Sequence, residues 1–143
     1  MPAFTRSAYD EIVSRARRGG DREVCGVLGG KTERELPEPV VDSVYPVDNV
    51  ADAPRTRYEL DPEEQLRVIE ALEDRGETLV GFYHSHPRGP PVPSETDVES
   101  ATWPGASYVI VALGGEPYVG SWLWDGDSFE QQLVRVVPDG RDR

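Results

Sequence analysis

The stretch Gly81-Phe82-Tyr83-His84-Ser85-His86-Pro87 decides how this chain is read. It continues Thr78, Leu79 and Val80, a β-branched and apolar run that predicts a strand through Tyr83. Side chains at i and i+2 of a strand share a face, so His84 and His86 can bring their rings to one point. A His-x-His pair at a strand end offers two nitrogens to a metal ion. Two solvated polar side chains are the plain alternative. Pro87, Pro90, Pro91 and Pro93, with Gly89, force a loop after the strand. The loop runs into Ser94-Glu95-Thr96-Asp97, whose Ser-x-x-Asp spacing predicts a capping box and a short helix. If the loop folds back, Asp97 joins the two histidines. Two nitrogens, one carboxylate oxygen and an open fourth position form the donor set of a catalytic zinc site.

Outward from this centre the chain alternates helix and strand signals. Ser7 to Arg18 predicts a helix capped by Ser7, with Asp10 and Glu11 in its first turn, basic residues in its last, and a stop at Gly19-Gly20. Glu23 to Gly30 reads as a short buried strand, Val40 to Val47 as another, and Arg57-Tyr58-Glu59-Leu60 as strand-like. Asp61 caps a second helix with Pro62 at its first position, ending near Gly76. Tyr108–Leu113, Tyr118–Trp124 and Phe129–Val137 complete the strands, with a hairpin turn at Trp124-Asp125-Gly126-Asp127. The tail from Pro138 to Arg143 is expected to fray. The pattern predicts one mixed α+β or α/β domain over residues 1–143: a central sheet with about three helices.

Composition bounds the partners. The chain has 143 residues, 27 Asp and Glu against 15 Lys and Arg, and a formal net charge of -12. Such a chain repels polyphosphate, which argues against nucleic acid and anionic membrane surfaces as partners. The longest apolar run, Tyr108 to Leu113, is far short of the roughly 20 residues a spanning helix needs. One cysteine, Cys25, excludes an intramolecular disulfide, and the first residues carry no apolar signal stretch, so a cytoplasmic protein is expected. Lys31 is the single lysine beside 14 arginines. An acidic, lysine-poor chain predicts a salt-loving source, since carboxylates keep a surface hydrated in brine.

Hydrolysis at a zinc site also needs a general base that does not bind the metal. Spacing leaves Glu23, Glu77 and Glu99 open for that role. Cys25 reads as a small buried hydrophobe, because a cysteine nucleophile would need a histidine that the metal has claimed. The tryptophans Trp103, Trp122 and Trp124 read as packing. A zinc nucleobase deaminase is disfavoured, since its His-x-Glu and Pro-Cys-x-x-Cys pattern is missing.

The run Glu23 to Leu28, then Gly81 to Pro87, then Ser94 to Asp97 resembles the JAMM (MPN+) metalloprotease family. That family's motif is an upstream glutamate, His-x-His-Pro, about seven residues, and Ser-x-x-Asp. Asn49 and the segment Arg57 to Pro62 also resemble the family's middle region, so the similarity covers roughly residues 5 to 125. It implies a cytidine-deaminase-like JAMM/MPN fold with a mostly antiparallel central sheet. It implies that His84, His86 and Asp97 bind one zinc ion. Glu23 would then take a proton from the catalytic water and pass it to the leaving amine, while Ser94 donates a hydrogen bond to the tetrahedral intermediate.

The substrates implied are ubiquitin-like modifier proteins and their conjugates, cut after the modifier's C-terminal Gly-Gly, as by the stand-alone archaeal members (desampylases). Processing of a sulfur-carrier protein's C-terminus and a non-catalytic MPN scaffold are the alternatives. The sequence names no substrate-binding residue beyond the 87–93 loop as a candidate channel wall.

Overall fold

The computed structural model describes residues 2–31, 39–114 and 118–139. In chain order the elements are β1 (Ala3–Thr5), α1 (Arg6–Arg18), β2 (Cys25–Lys31), β3 (Val40–Val41), β4 (Ser43–Val47) and α2 (Pro62–Asp74). They continue with β5 (Glu77–His86), α3 (Glu95–Ser100), β6 (Ser107–Ala112), β7 (Tyr118–Trp124), β8 (Phe129–Gln132) and β9 (Arg135–Val137). Six strands form the main sheet in the order β4-β2-β5-β6-β7-β8. All its pairs are antiparallel except β5 with β6. The expected mixed α/β architecture with a mostly antiparallel sheet and three helices is what the chain forms.

The helices take opposite faces of this sheet. Ala8, Ile12 and Ala16 recur every four residues on α1, so they form one buried stripe. That stripe packs with Leu28, Val80, Tyr83, Val109 and Val111. Leu72 of α2 packs on the other face with Val27, Phe82 and Tyr108. Val80 and Tyr83 reach the same cluster although they are three apart, because the β2–β5 register shifts between Leu28 and Gly29 and absorbs one residue of β5. Past the bulge the period of two is clean. Phe82, His84 and His86 therefore share the α2 face. Gly81 makes the β5–β6 contact close: a Cβ there would stand 1.9 Å from the Ser107 carbonyl oxygen.

Five expectations need correction. The first helix begins at Arg6 and is capped by Thr5, whose hydroxyl accepts from Ala8 N–H at 3.2 Å. Asp10 and Glu11 therefore lie beyond the first turn. Ser7 instead binds Asp139, whose carboxylate accepts from the Ser7 N–H at 2.9 Å and from its hydroxyl. The tail is thus held as far as Asp139, and residues 140–143 lie outside the described residues.

The stretch 40–47 is two strands broken at Asp42, not one. The stretch 129–137 likewise splits, and β9 leaves the main sheet. It joins β1 and β3 in a small parallel sheet of order β3-β1-β9. The strand β1 carries too few residues to show a period, and burial of Ala3 and Phe4 rather than local pattern holds it there. Finally, Arg57–Glu59 are not in a strand; of this segment only Leu60 pairs, with Asn49. The Asn49 side chain takes backbone bonds that a neighbouring strand would have taken.

Candidate metal centre

The last residues of β5 and the first turn of α3 meet at one point. His84 Nε2 and His86 Nε2 lie 3.1 Å apart, and Asp97 Oδ2 lies 3.2 Å from the first and 3.1 Å from the second. Strand geometry brings the rings together, and the capping box brings the carboxylate. Ser94 Oγ accepts from Asp97 N–H at 3.0 Å, while Ser94 N–H donates to Asp97 Oδ2 at 2.8 Å. The cap fixes the aspartate's direction as well as the helix start.

This triangle fits a single divalent ion. Donors at about 2.0–2.1 Å from a tetrahedral zinc stand roughly 3.3 Å from each other. The three distances fall close to that. The tautomers suit it too, because His86 Nδ1–H donates to the Pro90 carbonyl at 2.8 Å. Its Nε2 lone pair is then left for a metal. His84 is oriented differently: the Tyr58 ring lies flat on it, centroids 4.0 Å apart and planes 20° apart.

Glu23 closes the fourth side. One of its carboxylate oxygens lies within 4.8 Å of a ring nitrogen of each histidine. The residue is buried at 7% exposure, and its Oε1 has no hydrogen-bond partner. An orphaned buried carboxylate oxygen is costly unless a proton, ion or water occupies it in the working molecule. Asp97 is the stronger third donor, since one oxygen of it touches both histidines while Glu23 stands further off. The other acids left open by the sequence lie elsewhere. Glu77 is held by Ser43 and Tyr45 at 2.7 and 2.6 Å, and Glu99 sits exposed on α3.

The electrostatics divide the two acids. Burial pushes the Glu23 carboxyl up to about 7, with Asp97 adding to the rise and His86 opposing it. Asp97 is also penalised by burial, but hydrogen bonds with both histidines and with Ser94 N–H hold it well below the ordinary carboxylate range. Burial lowers the basicity of His84. For His86 the Asp97 carboxylate and Pro90 carbonyl outweigh burial and raise it. One acid stays ionised as a ligand must, and the other sits where a proton can come and go near neutral pH.

Three residues at the centre escaped sequence reasoning. Tyr58 stacks on His84, Ser85 Oγ accepts from Val24 N–H at 2.9 Å next to Glu23, and Asn49 Nδ2 donates to the Glu23 carbonyl at 2.8 Å. All three lie in stretches that carry the family resemblance, but nothing in those stretches marked them individually. Cys25 is buried, and burial pushes its thiol up to about 12, which suits the inert role expected of it. Two clefts open here. One of about 440 Å³ is walled by Tyr58, Leu60, Phe82, Trp103 and Tyr108. The other, about 420 Å³, has Glu23, His86 and Ser94 on one wall and residues 87–90 on another. Trp122 and Trp124 are buried packing, whereas Trp103 is 38% exposed and stands edge-on to Phe82 at 5.6 Å.

Comparison with known proteins places the chain among close relatives. The chain is 47% identical over 138 residues to the desampylase of Haloferax volcanii, covering 94% of this chain and 95% of that one. It is 44% identical over 101 residues to the CysO-cysteine peptidase of Mycobacterium tuberculosis, covering 71% of this chain and 66% of that one. A solution structure of a Desulfitobacterium hafniense protein superposes with a TM-score of 0.85 at 30% identity, covering 97% of this chain and 94% of that one. Residues 5–125 match the model of prokaryotic homologs of the JAB domain, and the chain belongs to that JAB (JAMM) family.

Proposed function

We propose that this chain is a cytoplasmic zinc metallo-isopeptidase, one catalytic domain over residues 1–143. It hydrolyses the bond after the C-terminal Gly-Gly of a ubiquitin-like modifier and releases that modifier from target lysines. The observation that carries the reading is the His84–His86–Asp97 triangle with the unpartnered Glu23 Oε1 beside it. The relatedness to a desampylase over nearly the full length of both chains supports the substrate class.

His84, His86 and Asp97 would hold one zinc ion, which when bound supplies a Lewis acid for the scissile carbonyl and for water. The chain's own residues do the rest. Glu23 accepts a proton from the attacking water and returns it to the leaving lysine amine, a shuttle suited to a carboxyl raised to about 7. Ser94 Oγ accepts from Asp97 N–H, so its own proton is available to the oxyanion that develops on the substrate carbonyl. Pro90 and Tyr58 keep the two imidazoles aimed inward. Glycines at the end of the substrate tail bring backbone close to these groups without a Cβ to clash.

The test is cleavage of a Gly-Gly-ended ubiquitin-like protein joined to lysine, with and without a chelator, across salt from dilute to molar. Turnover that chelator stops and zinc restores is expected, with activity kept in molar salt as the acidic surface predicts. Zinc-loaded protein that binds the conjugate and leaves it intact would mark a scaffold instead. The 44% identity to a CysO-cysteine peptidase favours one second reading, processing of a sulfur-carrier C-terminus. Faster turnover of a modifier ending in a single amino acid than of a lysine conjugate would select it.

A further inference from the structure

We propose that Asn49 is a positioning residue that joins the base Glu23 to the metal-side histidine His84 through Tyr58; the proposal rests on the metallopeptidase reading above. Its side-chain amide uses every hydrogen-bonding capacity it has. Nδ2 donates to the Glu23 carbonyl at 2.8 Å and to the Arg57 carbonyl at 3.1 Å. Oδ1 accepts from Ala51 N–H and Glu59 N–H, each at 3.0 Å. The bonds to Arg57 and Glu59 bracket Tyr58, and Tyr58 lies flat on His84.

The amide's orientation is fixed by chemistry. Rotating it by half a turn would set oxygen against two carbonyls and NH₂ against two N–H groups. The backbone around it is also paired, with Val50 N–H donating to Glu59 at 2.9 Å and Asp61 N–H to Asp48 at 3.1 Å. Glu23 N–H donates to Pro54 at 2.7 Å, so the same 48–61 segment grips the base residue from both sides of its peptide. The base lies just before β2 and the ligand His84 on the neighbouring β5, and Asn49 sets the distance between their working atoms. It touches neither substrate nor metal, so its effect must pass through Glu23 and Tyr58.

Four variants test this. N49D keeps the acceptor for Ala51 and Glu59 but turns an oxygen on the two carbonyls. N49A removes the bonds without that repulsion and serves if N49D does not fold. Y58A removes the stacked ring, and Y58F keeps it. Kinetics of conjugate cleavage are measured alongside the His84 ring resonances of the metal-free proteins by NMR. Asn49 variants are expected to lose about 10- to 100-fold in kcat with KM changing less than about threefold, the scale of partners that orient metal ligands. Their His84 resonances should move towards those of Y58A, and Y58F should recover most of what Y58A loses. An Asn49 variant with the parent's kcat per folded molecule and unmoved His84 resonances overturns the proposal. A zinc-loaded parent that cleaves nothing overturns the metallopeptidase reading itself, whereas a parent that cleaves no faster than N49A overturns the positioning role alone.

Discussion

The two halves of the proposed metal centre, ligands and base, are built on different principles. The ligand half is local: His84, His86, Ser94 and Asp97 lie on one strand end and the helix that follows, and a single capping box aims the carboxylate. The base half is assembled from a distance. Glu23 precedes β2; its backbone is held by Asn49 and Pro54, and the N–H of the next residue, Val24, is held by Ser85 through a bond that spans 61 residues. Local geometry is set by backbone period and turn chemistry, and it survives modest changes elsewhere. The remote half depends on the tertiary fold being correct. The metal should therefore be the robust part of the site and the base the part most sensitive to packing.

Removing a ligand breaks the local half and should have the largest effect. H84A or D97A is expected to bind no zinc by metal analysis and to cleave at background. Next comes E23Q, which should lower kcat by about 10²–10⁴ while zinc content stays at the parent's level. That split between metal and rate is what the comparison requires, and an E23Q protein that loses its zinc would erase it. S94A should cost about 10²–10³ in kcat as an oxyanion donor and about 1 kcal/mol in stability as a helix cap. A loss in stability alone, read from melting and kinetics together, would reduce Ser94 to a cap.

Effects away from the centre should be smaller in rate. I12A, on the opposite face of the sheet, should cost about 2–5 kcal/mol by denaturant unfolding and leave kcat per folded molecule near the parent's. The mildest prediction concerns Cys25. With its thiol raised from 9.0 to about 12, alkylation of the folded protein at pH 8 should run roughly a thousandfold slower than for an exposed cysteine. The raised value also means the folded state holds this proton more tightly than the unfolded chain. Its contribution to stability is present below pH 9 and fades as pH climbs towards 12, which alkaline unfolding of C25A against the parent would reveal.

The same division explains what the sequence disclosed. His84 and His86 at i and i+2, and Ser94 and Asp97 at cap spacing, write their geometry in the chain itself. The helices, the hairpin turn and most main-sheet strands were legible for similar reasons. Glu23 was chemically required yet indistinguishable from Glu77 and Glu99 until a family resemblance singled it out. The contacts of Tyr58 and Ser85 were not legible, because a ring stacked across the fold and a hydroxyl bonded 61 residues away have no period. The small sheet failed for a related reason: β1 and β9 have three residues each and are held by distant partners.

The lone parallel junction in the main sheet has one more consequence. Parallel neighbours cannot be joined by a tight hairpin, so the chain must cross over between His86 and Ser107, and that crossover holds the proline loop, α3 and Trp103. Its ends are anchored in two buried strands, while its middle faces the clefts. Chain length can thus be added or trimmed there with the sheet undisturbed. Evolution, or an engineer, could exchange the stretches flanking Ser94–Asp97 within this crossover to retarget the enzyme and keep the same chemical apparatus.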